Sequence, residues 1–373
     1  MNNITQLRKN LHTLAEPSMQ EHRTKRFLMN WLRENTNLKL VDRGNWFYAV
    51  YEPDLPSDSE QKSKNADISE AGHSQDPIAF RADFDAVLCQ DGIARHLCGH
   101  DGHSAALASF AAELEKFAPD RTVYLIFQPG EETGEGARLC SALIEEKGIS
   151  EIYGFHNIPG AAEHEILLLP GTFACASTGM ELTFQGSPSH AAYPEQGKNP
   201  GLALADMLTY SQELLKEQKR GIVLATIIGA DLGSQSYGVS AEKGVLRLTL
   251  RAEYQDEYDQ LLDRIRQRAE ETAHVYGLSC SIRLIEEFPA TENDPACVEK
   301  VRKAAEESGL KTRIPEETFR WSEDFGYYLQ KTKGAIFGVG AGTDHPGLHT
   351  ANYEYNDAIT ESVLKLYKKL CTE

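Results

Sequence analysis

Apolar positions along the chain follow two rhythms. At the start, Leu7, Leu11 and Leu14, then Phe27, Leu28, Trp31 and Leu32, recur every three or four residues, with Pro17 between the two sets. That spacing predicts two helices between residues 5 and 38. Further on, residues 78–84, 122–127, 151–155 and 334–339 are short apolar runs rich in β-branched or aromatic side chains. Such runs predict strands buried on both faces, as in a largely parallel sheet, and helical patterns at 104–117, 137–147 and 295–309 lie between them. The expected main domain is α/β.

From about residue 178 to 287 the texture changes. Strand 180–184, helix 200–219, strands 222–228 and 244–253, helix 256–276 and strand 279–285 follow in the order β-α-β-β-α-β, the ferredoxin-like α+β arrangement. A domain at 178–287 is therefore expected as an insertion in a discontinuous one, 1–177 with 288–373. A chain of 373 residues suits two domains. Residues 51–77 are polar without any apolar period and read as an exposed loop.

Composition then narrows the function. With 41% hydrophobic and 25% charged residues the chain is ordinary for a soluble protein, and no apolar run approaches a bilayer span. Thirty-eight basic against fifty-six acidic side chains give a formal charge of -18. That balance repels a phosphate backbone, so nucleic acid is not an expected partner, and no membrane surface is indicated. The N-terminus carries no export signal, and seven scattered cysteines do not read as a disulfide framework. The expected location is the cytoplasm.

The densest chemistry is His96-Leu97-Cys98-Gly99-His100-Asp101-Gly102-His103, just before a helical pattern. Thiolate and imidazole suit a borderline metal such as zinc, and alternate positions on an extended segment would point Cys98 and His100 the same way. Glu131 and Glu132 follow directly on the strand 122–127, where adjacent carboxylates leave in two directions: one toward a metal, its neighbour toward a substrate. His156 closes the strand 151–155, and His349 lies in the Gly-rich segment after the strand 334–339. Sites in open α/β sheets lie beyond the carboxyl ends of the strands, and all these groups fall on that rim.

These motifs resemble the M20 metallopeptidases, and within them the amidohydrolases that act on N-acyl or N-aminoacyl amino acids. The likeness runs from the opening helix, through Arg81-Ala82-Asp83-Phe84-Asp85-Ala86, the Cys98-Gly99-His100-Asp101 cluster and Gln128-Pro129-Gly130-Glu131-Glu132, to Gly154-Phe155-His156, Ser187-Pro188-Ser189-His190, Ser322-Glu323-Asp324-Phe325 and Leu348-His349. The resemblance implies two divalent ions, zinc or manganese, held by Cys98, His100, Glu132, His156 and His349. It implies Glu131 as catalytic base, His190 as donor to the oxyanion and Arg251 as partner of the substrate carboxylate. Arg251 also reads as an ordinary surface ion-pair residue.

Asp85 and Asp101 are expected to accept the outer N–H of a ligating histidine, or else to serve as turn and capping residues. His96 and His103 are assigned to no metal. The implied reaction is hydrolysis of an amide bond by an activated water, on a small acylated amino acid or a dipeptide. The inserted domain is implied to act as a lid and to pair two chains as a homodimer. Residues 86–95 are shorter than the family's equivalent, and 236–240 replace its asparagine-containing stretch. A non-catalytic metal or ligand binder is the competing reading. A closed structural zinc site is disfavoured by ligands spread from 98 to 349.

Overall fold

The computed structural model describes residues 3–53 and 75–372, so most of the polar stretch at 51–77 lies outside the described residues. The chain forms two compact units. One comprises Met1–Phe173, Glu292–Glu317 and Asp324–Glu373; the other comprises Ala174–Thr291 and Thr318–Glu323.

The first unit is built on an eight-stranded sheet. Its order is Lys39–Asp42, Phe47–Tyr51, Arg121–Gln128, Gln75–Asp83, Glu151–Pro159, Lys333–Gly342, Ile166–Leu167 and Thr312–Arg313. The four central strands, from Arg121–Gln128 to Lys333–Gly342, run parallel. They carry the apolar runs seen in the sequence, and helices cover them. Phe80 on the second of them packs on Phe110 of the helix His100–Phe117, with ring centroids 5.1 Å apart, and on Tyr367 of the helix Thr360–Leu370 at 4.5 Å.

The margins of the sheet differ from the expectation. Phe47–Tyr51 pairs antiparallel with Arg121–Gln128, and Ile166–Leu167 antiparallel with Lys333–Gly342. These strands are two to five residues long, too short to show a period, and long-range pairing alone defines them. The helix expected at 137–147 is two, Gly136–Cys140 and Ala142–Lys147. At Ser141 the bonding tightens from a four-residue step, Ser141 N to Ala137 O, to a three-residue step, Ile144 N to Ser141 O.

The second unit has a four-stranded antiparallel sheet in the order Val223–Leu232, Lys243–Ala252, Ala176–Gln185, Ser279–Phe288. Helices Gly201–Glu213 and Gln255–Tyr276 complete the β-α-β-β-α-β sequence. Met180, Leu182, Leu246 and Leu248 point into one core with Ile265. Glu181, in alternation with them, pairs with Arg247 at 3.0 Å and Arg283 at 3.2 Å on the other face. Thr318–Glu323 joins this unit because Cys175 N donates to both Phe319 O and Trp321 O at 3.2 Å. The expected boundaries, 177/178 and 287/288, could not include so remote a segment. Among the described residues no helix is long and apolar enough to cross a membrane.

Candidate metal centre

Cys98 and His100 are brought together by a turn, which corrects the extended segment expected from their alternation. Gly99 sits at φ +99°, and His100 opens the helix His100–Phe117. A Cβ on Gly99 would stand 2.5 Å from Asn157 Oδ1 and 2.6 Å from Tyr353 Oη, so the turn needs a glycine for its backbone and for its packing. Cys98 Sγ then lies 3.5 Å from His156 Nε2. His156 is inside the strand Glu151–Pro159 rather than beyond its end.

Strand Arg121–Gln128 feeds a turn at Pro129-Gly130 that sends out the two glutamates. Glu131 Oε2 and Glu132 Oε1 each lie 3.8 Å from His100 Nε2, and Glu132 Oε2 lies 3.6 Å from His349 Nε2. His349, whose side chain is 51% exposed, has φ +61° and donates its backbone N–H to Leu97 O at 2.8 Å, which ties it to the residue before Cys98. Three overlapping groups result: Cys98 with His100 and His156, Cys98 with Glu132 and His349, and His100 with Glu131 and Glu132. Within each group the potential ligand atoms lie within 4.8 Å of one another.

The histidines are oriented from behind. His100 Nδ1 bonds Asp85 Oδ1 at 2.9 Å, and His156 Nδ1 bonds Asn157 O at 2.9 Å. An ionised carboxylate and a carbonyl only accept, so both rings carry the proton on Nδ1 and turn Nε2 toward the cluster. Asp85 Oδ2 also accepts from Glu132 N at 3.0 Å and Ser18 Oγ at 2.7 Å, so one carboxylate orients a histidine and a glutamate together. Asp101 was expected in the same role and has another: it bonds His12 Nδ1 at 2.8 Å, faces Arg8 at 3.6 Å and accepts from Gly102 N. One residue along the helix from His100, its side chain points a quarter-turn away. His103, left without a metal, spends Nδ1 on Asp83 at 2.7 Å and Nε2 on Asn157 at 2.6 Å.

Charge follows the same geometry. Burial opposes charge on His100, yet Asp83, Cys98 and Asp85 push its imidazole well above the usual value. Burial alone would raise Asp83; His100, Arg81 and His103 hold it well below the usual carboxylate range. Burial and Glu132 push the Cys98 thiol up, so a cation must displace its proton to bind the sulfur.

Several supporting residues were not singled out by the sequence reading: Glu21, Arg81, Asp83, Asn157 and Asp324. Arg81, Asp83 and Asp324 stand inside quoted motifs, which was the available signal. Arg81 bridges Asp83 and Asp324 at 2.6 Å each, all three buried. His190 and Arg251 belong to the second unit. His190 is exposed, its Nδ1 accepting from Ala192 N at 3.0 Å. Arg251 Nη1 donates to Arg320 O at 3.0 Å and Ser322 Oγ at 2.8 Å, and among the described residues no carboxylate pairs with it.

The donor set fits divalent cations. His100 Nε2 is buried without a hydrogen bond, and a cation that displaces the proton held there by the surrounding acidic groups would give this nitrogen its missing partner. Thiol, imidazole and carboxylate donors gathered within and just beyond the carboxyl-terminal parts of parallel strands are the arrangement of an α/β metal-binding protein. Residues 79–373 match the profile of peptidase family M20/M25/M40, and the chain belongs to that family. It is thus a hydrolase of amide or peptide bonds, of the metallopeptidase type. It is 27% identical to an uncharacterised hydrolase of Staphylococcus epidermidis and 26% to one of Staphylococcus haemolyticus, each alignment covering 98% of this chain and 97% of the relative. Its fold matches a dinuclear metal binding peptidase of the M20 family from Bacillus subtilis, with a TM-score of 0.79, 22% identity and coverage of 99% and 96% of the two chains. It also matches an aminobenzoyl-glutamate utilization protein from Klebsiella pneumoniae, with a TM-score of 0.73, 18% identity and coverage of 99% and 95%.

Proposed function

We propose that the protein hydrolyses the amide bond of an N-acyl or N-aminoacyl amino acid, with two divalent cations held by Cys98, His100, Glu132, His156 and His349. The observation that carries this reading is the meeting of those five side chains, with Glu131 beside them, from four separate stretches of chain. The Bacillus subtilis neighbour, a dinuclear metal binding peptidase, supports a pair of ions. The Klebsiella pneumoniae neighbour is named for aminobenzoyl-glutamate, an acylated amino acid, which supports the substrate class. A thiolate among imidazoles favours zinc over manganese.

When bound, the cations supply Lewis acidity, polarising the scissile carbonyl and acidifying the attacking water. Glu131 Oε1 accepts Asp324 N–H at 3.4 Å, and Oε2 is the oxygen nearer His100. Oε2 takes the proton from the water and returns it to the amine nitrogen, which leaves neutral. His190 donates to the developing oxyanion, a contribution of about 3 to 4 kcal/mol. Arg251 meets the substrate carboxylate with its planar fork of donors. Two chains pair along the strand Val223–Leu232, an open sheet edge that exposes Ile227, Ile228 and Leu232. All seven cysteines are free, which supports the cytoplasm.

The test is Glu131→Gln, assayed on a panel of acylated amino acids with zinc, manganese or chelator. Bound metal stays at the wild-type level while kcat falls by about 10²–10⁴-fold. A variant that turns over at the normal rate overturns the assignment of the base, and no metal-dependent release from any panel member overturns the substrate class.

A further inference from the structure

The turn that carries Glu131 and Glu132 has two buried acidic neighbours whose carboxylates have no part in the chemistry above. Glu21, buried just before the helix His22–Asn35, points Oε1 at the backbone: it accepts from Gly130 N at 2.8 Å and from Met19 N at 2.8 Å. Asp324, fully buried, accepts from Gln128 Nε2 at 2.8 and 2.9 Å and from Ala137 N at 2.8 Å, while its own N–H meets Glu131 Oε1. Gln128 ends the strand before the turn and Ala137 lies in the helix after it. Between those points the turn bonds itself through Gly134 N to Glu131 O and through Glu135 N and Gly136 N to Gly130 O. Asp85 grips the middle at Glu132 N.

We propose that Glu21 and Asp324 are positioning residues of this turn, holding its start and both its flanks so that two adjacent glutamates keep separate tasks. The idea rests on the reading of Glu131 as base. The physical reason is the short lever between the two groups. Neighbouring residues on a free turn would exchange directions by a small backbone rotation, putting the base on the cations or a ligand into solvent. Three buried carboxylates on backbone and side-chain donors remove that freedom. Arg81 secures Asp324 in turn, with bonds to its Oδ1 at 2.6 Å and to Gln128 Oε1 at 2.7 Å. Burial and Asp85 push the Glu21 carboxyl up to about 7, so its role is that of an acceptor oxygen rather than of a full negative charge.

That distinction sets the experiment. Glu21→Gln keeps an acceptor where Oε1 stands, Glu21→Leu keeps the bulk without it, and Asp324→Asn opposes a donor to a donor at Ala137 N or Arg81. Each purified variant is measured for bound metal, for hydrogen exchange of a peptide spanning 128–137, and for kcat and KM on an acylated amino acid cleaved by the wild type. Glu21→Leu and Asp324→Asn are expected to retain metal, to exchange faster over 128–137, and to lose about 10- to 100-fold in kcat with KM within about twofold, the scale of a misplaced reacting group. Glu21→Gln is expected to stay within about threefold of the wild type in kcat. Should Asp324→Asn not fold, the two Glu21 variants decide. Glu21→Leu with wild-type exchange and kcat overturns the proposal, as does Glu21→Gln damaged equally with Glu21→Leu. If the wild type cleaves no panel member, the functional reading fails while hydrogen exchange still decides the positioning.

Discussion

Gly99 shows how much of the site hangs on one residue. Its left-handed backbone turns the chain from Cys98 into the helix at His100, and the space a side chain would need holds Asn157 and Tyr353. Gly99→Ala is therefore expected to lower stability by more than the roughly 1–2 kcal/mol of left-handed strain alone, because the clash adds to it. The same shift would separate Cys98 from His100, so bound metal should fall together with the melting temperature. Elemental analysis beside thermal unfolding checks this, and a fully loaded, equally stable variant would contradict the account. His349 also holds a left-handed conformation, and as a non-glycine residue it stays there with a backbone bond to Leu97 O. Neither backbone angle is visible in residue identity, although a glycine between two candidate ligands is the kind of position where one is expected.

At the scale of elements, the helix His22–Asn35 begins without a side-chain bond from its own N-cap residue, Glu21. Glu16 supplies the cap from the preceding loop: Oε2 accepts from Arg23 N at 2.8 Å, Thr24 N at 2.9 Å and Thr24 Oγ1 at 3.0 Å. Burial pushes the Glu16 carboxyl up, but the Thr24 and Arg23 donors outweigh it and the net shift is downward. A depressed carboxyl adds stability above its unfolded value, near 4.5, and loses that contribution as pH falls through the lower folded value. Glu16→Gln should thus cost about 0.5–2 kcal/mol at pH 7, with the gap to wild type closing as pH falls below about 4. Melting curves of both proteins from pH 7 to 3 test it; a gap that widens toward acid would show the sign to be wrong.

For the whole molecule, the sheet of the second unit ends in two edge strands, Val223–Leu232 and Ser279–Phe288, and the first carries the exposed apolar side chains Ile227, Ile228 and Leu232. Its strand Val223–Leu232 pairs on one side only and exposes Ile228 by 61%. If that edge pairs two chains, Ile228→Lys places a like charge on both sides of a symmetric contact and should shift the solution mass from two chains to one. Light scattering during size exclusion reads the mass directly. A wild type already monomeric at micromolar concentration, or a variant that remains dimeric, would reject pairing along this strand.

The apolar runs of the parallel strands, the β-α-β-β-α-β order and the Cys98-Gly99-His100 and Glu131-Glu132 pairs were all legible in the sequence, because each is a local pattern set by neighbours a few residues apart. The family follows from those motifs in order. Tertiary structure decided what depends on remote contacts: Asp85 holding His100 and Glu132 with one carboxylate, Asp101 turned instead toward His12, and Thr318–Glu323 belonging to the second unit. Glu21 and Asp324 reach the turn that carries Glu131 and Glu132 across 109 and 187 residues of chain, to Gly130 and Ala137. A side chain's partner at such separation is chosen by packing of the sheet and its helices, which no window of sequence contains.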